Sequence, residues 1–317
     1  MGGYAYAARG EPCANREIPF EWDTAFTFSG PTTSPWPSGW PVEMGFLFGG
    51  KDVGSSQDCD GYTLDDTWTA KTNTPIYLWG AGSSNIDNKI YVAYGKIAAS
   101  SFLVRTDEFS LNTWSSKTAA PSPARTFLAS SHIENNKMYC SGGSIDIPVS
   151  DNDSYDTDTW TSKTDMVSPF RYYFNSATAD NKIYCVGGFT GTNTLADCDQ
   201  YVDDTWSTRA TLGTSTYSNS IFSVGLCLYM AYGDDVSDHV TTCLGYSPDF
   251  WTTKTSGGSP SRYRVASIEL GHAGLVLCGN AVSDISDNDE YDPDTWTARA
   301  AAPLPARTFA SGGYITG

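Results

Sequence analysis

The sequence predicts an all-β protein, a six-bladed β-propeller of four-stranded antiparallel blades whose ring is closed by the C-terminal strand joining the first blade. Three observations predict it. A tryptophan returns at Trp68, Trp114, Trp160, Trp206, Trp251 and Trp296, at intervals of 46, 46, 46, 45 and 45 residues, and a fixed period of roughly 20–50 residues marks a repeat architecture. Each period holds two hairpin-like stretches, hence four short strands. The last residues, Ala306-Arg307-Thr308-Phe309-Ala310-Ser311, copy Ala124-Arg125-Thr126-Phe127-Leu128-Ala129-Ser130 and stop short of a second strand.

The elements of one repeat follow in order. Residues 125–133 read as a first strand, Asn135-Asn136 as a tight turn, and Lys137-Met138-Tyr139-Cys140 as a second strand climbing to Gly142-Gly143. Ser154-Tyr155 opens the third strand, Asp156 to Asp158 make a turn whose side chains favour local bonds to the backbone, and Trp160 to Thr164 form the fourth. Near the start, Phe46-Leu47-Phe48-Gly49-Gly50 matches a second strand with no first strand before it. The orphan strand at the C-terminus is expected to complete that blade, pairing two sheet edges that would otherwise stay exposed. The six Trp, with Tyr62, Phe109, Tyr155, Tyr201, Tyr246 and Tyr291, are expected to fill the spaces between blades, where truncating a buried aromatic costs about 3–5 kcal/mol.

Composition agrees: 30 Gly, 16 Pro and 14% aromatics suit many short strands and turns, and no stretch has the period of a long amphipathic helix. A net charge of −17 argues against nucleic acid or an anionic membrane as partner, and no segment is long and apolar enough to span a bilayer.

The doublets Gly49-Gly50, Gly142-Gly143 and Gly187-Gly188, followed by the aromatic column and then the Trp, resemble those of kelch repeats over residues 42–317. The doublet weakens to Tyr94-Gly95, Tyr232-Gly233 and Cys278-Gly279, and the interval from aromatic to Trp is five or six residues, which implies a tight outer hairpin. The Gly-His and Trp-Asp signatures of WD40 repeats are absent.

Basic residues form two columns. Lys71, Lys117, Lys163, Arg209, Lys254 and Arg299 each follow their Trp by three residues, where charge on an outer edge strand discourages pairing with other chains. Arg125, Arg171, Arg262 and Arg307 each follow a Trp by eleven, with Tyr77 and Tyr217 assigned to the two remaining blades. The kelch resemblance implies that this crossover opens onto the partner-binding face, where arginines could grip acidic or hydroxyl-rich ligands. The competing role is an ion pair with a neighbouring blade's Asp that fixes blade angles.

Catalytic patterns are scarce. His132, His239 and His272 lack metal-site spacing, no copper-oxidase Tyr and His set is matched, and Ser247-Pro248-Asp249-Phe250-Trp251 shares only a fragment of the sialidase box. Asp151-Asn152-Asp153 and Asp287-Asn288-Asp289 lack the Gly and distal Glu of a calcium loop and read as turns. No metal, cofactor or catalytic residue is therefore expected. The cysteines read as buried thiols, with Cys185 and Cys198 the one plausible cross-strand pair. Met1 to Arg16 lacks the apolar core of an export signal.

Residues 1–41 form a separate aromatic and Pro-rich arm. Trp22, Trp36 and Trp40, with Phe20, Phe26 and Phe28, are too apolar to stay solvated and are expected to pack on the propeller or dock on an assembly partner. The whole reads as a non-catalytic binding or structural propeller with a protein or glycan partner on one face. Its Ser, Thr, Asn and Asp-rich repeats resemble kelch-like propellers of phage particles and bacterial surfaces, which implies a virion or extracellular location. The alternatives are a sugar-processing enzyme of the sialate mutarotase kind and a cytoplasmic protein-interaction scaffold.

Overall fold

The computed structural model describes residues 43–51, 56–98, 101–133, 137–235, 237–247, 249–270, 273–292 and 294–316. The arm, with Trp22, Trp36 and Trp40, lies outside the described residues, as does His272. Six four-stranded antiparallel sheets form the ring. In blade 1 the strand Ser311–Thr316 pairs with Glu43–Phe48, from Glu43 opposite Thr316 to Phe48 opposite Ser311, and Cys59–Thr63 and Thr67–Ala70 complete the sheet. The expected closure is present.

The other blades run in chain order from axis to rim. Blade 2 is Gly82–Ile86, Lys89–Ala93, Thr106–Ser110 and Thr113–Ser116, with a small extra hairpin, Lys96–Ala98 against Ser101–Phe102. Blade 3 is Ala129–Ile133, Lys137–Ser141, Asn152–Asp156 and Thr159–Ser162. Blade 4 is Asn175–Ala179, Lys182–Val186, Cys198–Val202 and Thr205–Thr208. Blade 5 is Ser220–Val224, Cys227–Ala231, Cys243–Ser247 and Phe250–Lys254, and blade 6 is Ala266–Leu270, Ala273–Asn280, Asp284–Asp292 and Thr295–Arg299. The first strand of blade 3 begins at Ala129 rather than Arg125 because Phe127, at φ 55°, bends the chain at the axis. Outer hairpins such as Thr157-Asp158 and Asp203-Asp204 have positive φ at both central residues, the backbone of a two-residue type I′ turn.

The glycine doublet has a conformational explanation. Its first residue lies at φ 54–68° in all six blades, including Tyr94 at 61°, Tyr232 at 56° and Cys278 at 55°. That is the left-handed region, which a side chain can enter at a modest cost. The second residue lies near or beyond φ 88°, and a Cβ on Gly143 would come within 2.8 Å of the Thr126 carbonyl oxygen. Only glycine serves there, so the second position never varies.

At the rim, each Trp and the Asp or Asn of the same hairpin clamp one residue of the preceding blade. Trp160 Nε1 donates to the Thr118 carbonyl at 3.1 Å, while Asp158 accepts the Thr118 N–H at 2.7 Å. Trp206 and Asp204 hold Thr164 in the same way, and Trp251 and Asp249 hold Ala210. Trp296 and Asp294 hold Thr255, Trp114 and Asn112 hold Thr72, and Trp68 and Asp66 hold Ala300 across the chain ends. The turn carboxylates thus bond across blades instead of to their own backbone. Five of the six Trp are half-buried rather than fully buried, while all six residues of the Tyr/Phe column are buried. The cysteines Cys59, Cys140, Cys185, Cys198, Cys243 and Cys278 are free and buried, so Cys185 and Cys198 form no bridge.

Candidate functional site

The arginine column lies inside the protein. Arg125, Arg171 and Arg262 are 0% exposed and Arg307 1%. Each guanidinium meets an Asp on the third strand of its own blade: Arg125 with Asp153 at 2.8 Å, Arg171 with Asp199 and Arg262 with Asp289 at 2.6 Å, and Arg307 with Asp60. Two pairs are also gripped by the preceding blade, where Tyr94 donates to Asp153 at 2.9 Å and Tyr232 to Asp289 at 2.8 Å. The same two tyrosine rings lie 4.3 and 4.6 Å from the Arg125 and Arg262 guanidinium carbons. Burial removes these four arginines from any ligand on the surface, so the ligand-binding role assigned to them is corrected. They are internal cross-links, and the Asp lies in the same blade, not in its neighbour.

Tyr77 and Tyr217 do not belong to that column either. The crossovers after Trp68 and Trp206 are one residue shorter, so the carbonyl that Arg125, Arg171, Arg262 and Arg307 present to the second glycine comes from Leu78 and Thr216. Tyr77 is 56% exposed beside it. Tyr217 lies one residue further on, half-buried, bridged to Asp234 on the crossover face. In blade 5 both partners are missing together: Thr216 replaces the Arg and Leu244 the Asp. Exchanging a buried pair for apolar or small groups as a unit avoids an uncompensated buried charge. In blade 2, Leu78 replaces the Arg, and Asp107 is held by Arg105 from the third strand's own entry at 2.8 Å.

Two residues beyond the arginine column the chain reaches the axis. Gly80, Phe127, Tyr173, Ser218, Arg264 and Phe309 all have φ between 51° and 61°. Each donates its N–H to the carbonyl of the equivalent residue in the preceding blade, at 2.6–3.1 Å, and the six bonds close into a ring. Their side chains converge over it: the Phe127 ring lies 4.2 Å from that of Tyr173 and 4.8 Å from that of Phe309, and the Arg264 guanidinium lies 4.7 Å from Phe309. Around this plug, half-buried Trp79, Tyr172, Phe189, Tyr217 and Tyr263 extend an aromatic floor. Cations sit on it. Lys96 Nζ is 4.5 Å and Lys51 Nζ 5.4 Å from the Trp79 centroid, and Arg264 is 4.5 Å from Tyr263. His239 stacks on Tyr263 at 4.3 Å with Nδ1 3.1 Å from Asp234. Burial pushes the Tyr173 and Tyr217 hydroxyls up to about 12, so both stay protonated donors. Cations over aromatic faces suit the stacking of rings and the capture of acidic or hydroxyl groups. Arg264 was the residue to find. Its signal was an arginine two places beyond the column, at a position whose six copies all but disagree.

On the opposite face, where the hairpins between first and second strands turn, the inner strands enclose a funnel of about 530 Å³. Its walls carry Ser83, Ser131, Ser176, Thr178 and Ser223, and its titratable groups include His132 and Glu269. Ser223 donates to Glu269 at 2.6 Å, and burial raises the Glu269 pKa. The acidic runs read as turns lie instead on third strands, Asn152–Asp156 and Asp284–Asp292, because their side chains are taken up by bonds inside the blade. Asn152 bonds Ser141 and Thr164, and Asp153 and Asp289 hold arginines. Among the described residues no three His, Cys, Asp or Glu side chains gather as a metal site.

The comparisons with known proteins can be set against this geometry. The Kelch motif matches residues 171–213, the segment from Arg171 through blade 4. No curated protein matches the sequence. A solved structure titled "Structure of YjhT" superposes with a TM-score of 0.67 over 82% of this chain and 98% of that one, at 14% identity, a likeness of fold. Six four-stranded blades and a strand-exchanged closure make this chain a six-bladed β-propeller, and its fourth blade carries a Kelch motif.

Proposed function

We propose that the chain is a non-catalytic recognition propeller that binds a protein or glycan partner on its crossover face, displayed on a virion or another extracellular surface. One observation supports the binding face. Where the six blades converge, their repeated backbone carries unrepeated side chains, and these build a half-exposed aromatic floor with Lys51 and Arg264 at its surface and Lys96 buried among its rings, in a protein of net charge −17. Exposed aromatics and Arg concentrate binding energy at recognition surfaces. The surface location rests on the sequence resemblance alone, and fractionation of native particles and cell surfaces tests it.

Binding is tested with panels of sialylated, sulfated and neutral oligosaccharides and of acidic peptides, using the full chain and a variant carrying Arg264→Ser and Lys51→Ala. Serine is the natural choice because Ser218 already occupies that backbone position in blade 5. The variant should melt like the parent and bind the preferred ligand at least about tenfold more weakly, the loss of one good charged contact. Unchanged affinity for every ligand bound by the parent would sink the assignment. Anomer exchange followed by NMR separates recognition from sugar processing: catalysed exchange overturns the non-catalytic reading.

A further inference from the structure

The hydroxyl-lined funnel is a separate cavity from the crossover face, since the plug and its ring of hydrogen bonds lie between them. Several of its hydroxyl protons are already committed. The inner strands of neighbouring blades do not pair as sheets, and their hydroxyls bridge the gap instead. Ser83 donates to the Gly312 carbonyl at 2.6 Å, Ser130 to Ser83 at 2.9 Å, Ser267 to Ile221 at 3.0 Å, and Thr178 to His132. A hydroxyl has one proton and two lone pairs. With these protons spent between blades, Ser83, Ser130, Ser267 and Thr178 can offer a guest only acceptor capacity.

The charge in the funnel points the same way. Glu269, on the inner strand of blade 6, accepts a bond from Ser223 of blade 5, and no Lys, Arg or His nitrogen among the described residues lies within ion-pair distance. No described Lys or Arg lines the cavity. His132 lies on blade 3, the blade opposite blade 6 in a ring of six; burial lowers its pKa, so its imidazole adds no cation to the cavity, and its Nδ1 already meets the Ser84 hydroxyl at 3.2 Å. A half-buried carboxyl facing a cavity without a cation is an arrangement that a cationic guest completes. Anionic sugars and phosphates find nothing to neutralise them.

We propose that this funnel is a second binding site, selective for a small donor-rich ligand of the amino-sugar class, whose ammonium group sits on Glu269 while its hydroxyls donate to the acceptor wall. The volume of about 530 Å³ admits a mono- or disaccharide. The proposal is independent of the crossover face. Titration of the full chain by calorimetry and ligand-observed NMR with glucosamine, galactosamine, glucose, N-acetylglucosamine and glucuronate tests it. At least one of the two amino sugars should bind tenfold or more tightly than the neutral and acidic sugars. Glu269→Gln, which keeps the Ser223 contact, should abolish that preference without changing the melting temperature. Arg264→Ser on the other face should leave it intact. Absence of saturable binding by both amino sugars, equal affinity for glucose, or a preference that survives Glu269→Gln would each overturn the proposal, and the first two outcomes are read on the unaltered chain.

Discussion

The rim and the axis of the propeller are built from the same repeat and treat it differently. At the rim, every blade uses a Trp and an Asp or Asn to grip one residue of its neighbour. Midway, the buried Arg and Asp pair occurs in four blades, is rearranged around Arg105 in a fifth and is absent from the sixth. At the axis the backbone bond repeats six times but the side chains are Gly, Phe, Tyr, Ser, Arg and Phe. Six copies in one chain thus act as their own control. What is common to all of them holds the ring, and what differs at a shared backbone position is free for recognition.

Three experiments bear on that contrast. The largest effect should come from deleting residues 306–317, which removes the inner strand of blade 1 together with buried Arg307 and Ile315. The loss should be comparable to the whole stability of a domain, about 5–15 kcal/mol, seen as loss of a cooperative melting transition. A truncated chain that melts with the full one would break the view that closure holds the ring.

A smaller effect is expected midway. Arg125→Ala leaves the Asp153 carboxylate in the interior without its cation and should cost about 3–5 kcal/mol. Replacing Arg125 by Thr and Asp153 by Leu, the residues blade 5 carries, together with Tyr94 by Phe to remove the hydroxyl that Asp153 accepted, should recover most of that loss in urea denaturation. If the triple replacement is no better than the single one, blade 5 is not a valid template for the others.

The rim should show itself through pH. The backbone N–H groups of Ala300, Thr118, Thr164 and Ala210 hold the carboxyls of Asp66, Asp158, Asp204 and Asp249 below their usual range. A folded pKa below the unfolded value of about 3.9 gives stability that is present above that value and lost as pH falls through the folded one. Changing all four to Asn, the residue already present as Asn112, keeps an oxygen acceptor and removes the titration. The urea midpoint of this variant should fall less between pH 6 and about pH 3 than that of the parent. An identical fall in both would assign the acid sensitivity elsewhere.

Much of this was legible in the sequence. The Trp period set the blade count, the copied termini set the closure, and the glycine doublets marked the chain reversals. The depth of the arginine column was not, because an Arg after a Pro-x pair reads the same on a surface or in a core. The clue was an Asp two residues before the aromatic column at Asp60, Asp153, Asp199 and Asp289, replaced by Leu244 in the blade that also lacks the Arg. Tyr217 was misaligned because its crossover is one residue shorter, which a count of eleven from Trp206 conceals, and Tyr77 falls one residue before Leu78, the position that the backbone bond to the second glycine identifies. The funnel was hidden for another reason. Its serines come from all parts of the chain and look like ordinary strand residues until the ring brings them round one axis.

The cycle of six backbone bonds at the axis makes the propeller a partitioned vessel. A cycle has no end from which to fray, so moving any one blade outward must break a bond on each of its sides. With Phe127, Tyr173 and Phe309 seated over it, the cycle is also a septum: water and solutes on the aromatic face have no straight passage to the serine-lined chamber beneath. A ligand proposed for one compartment would therefore leave the other open, so the two proposed sites are testable one at a time.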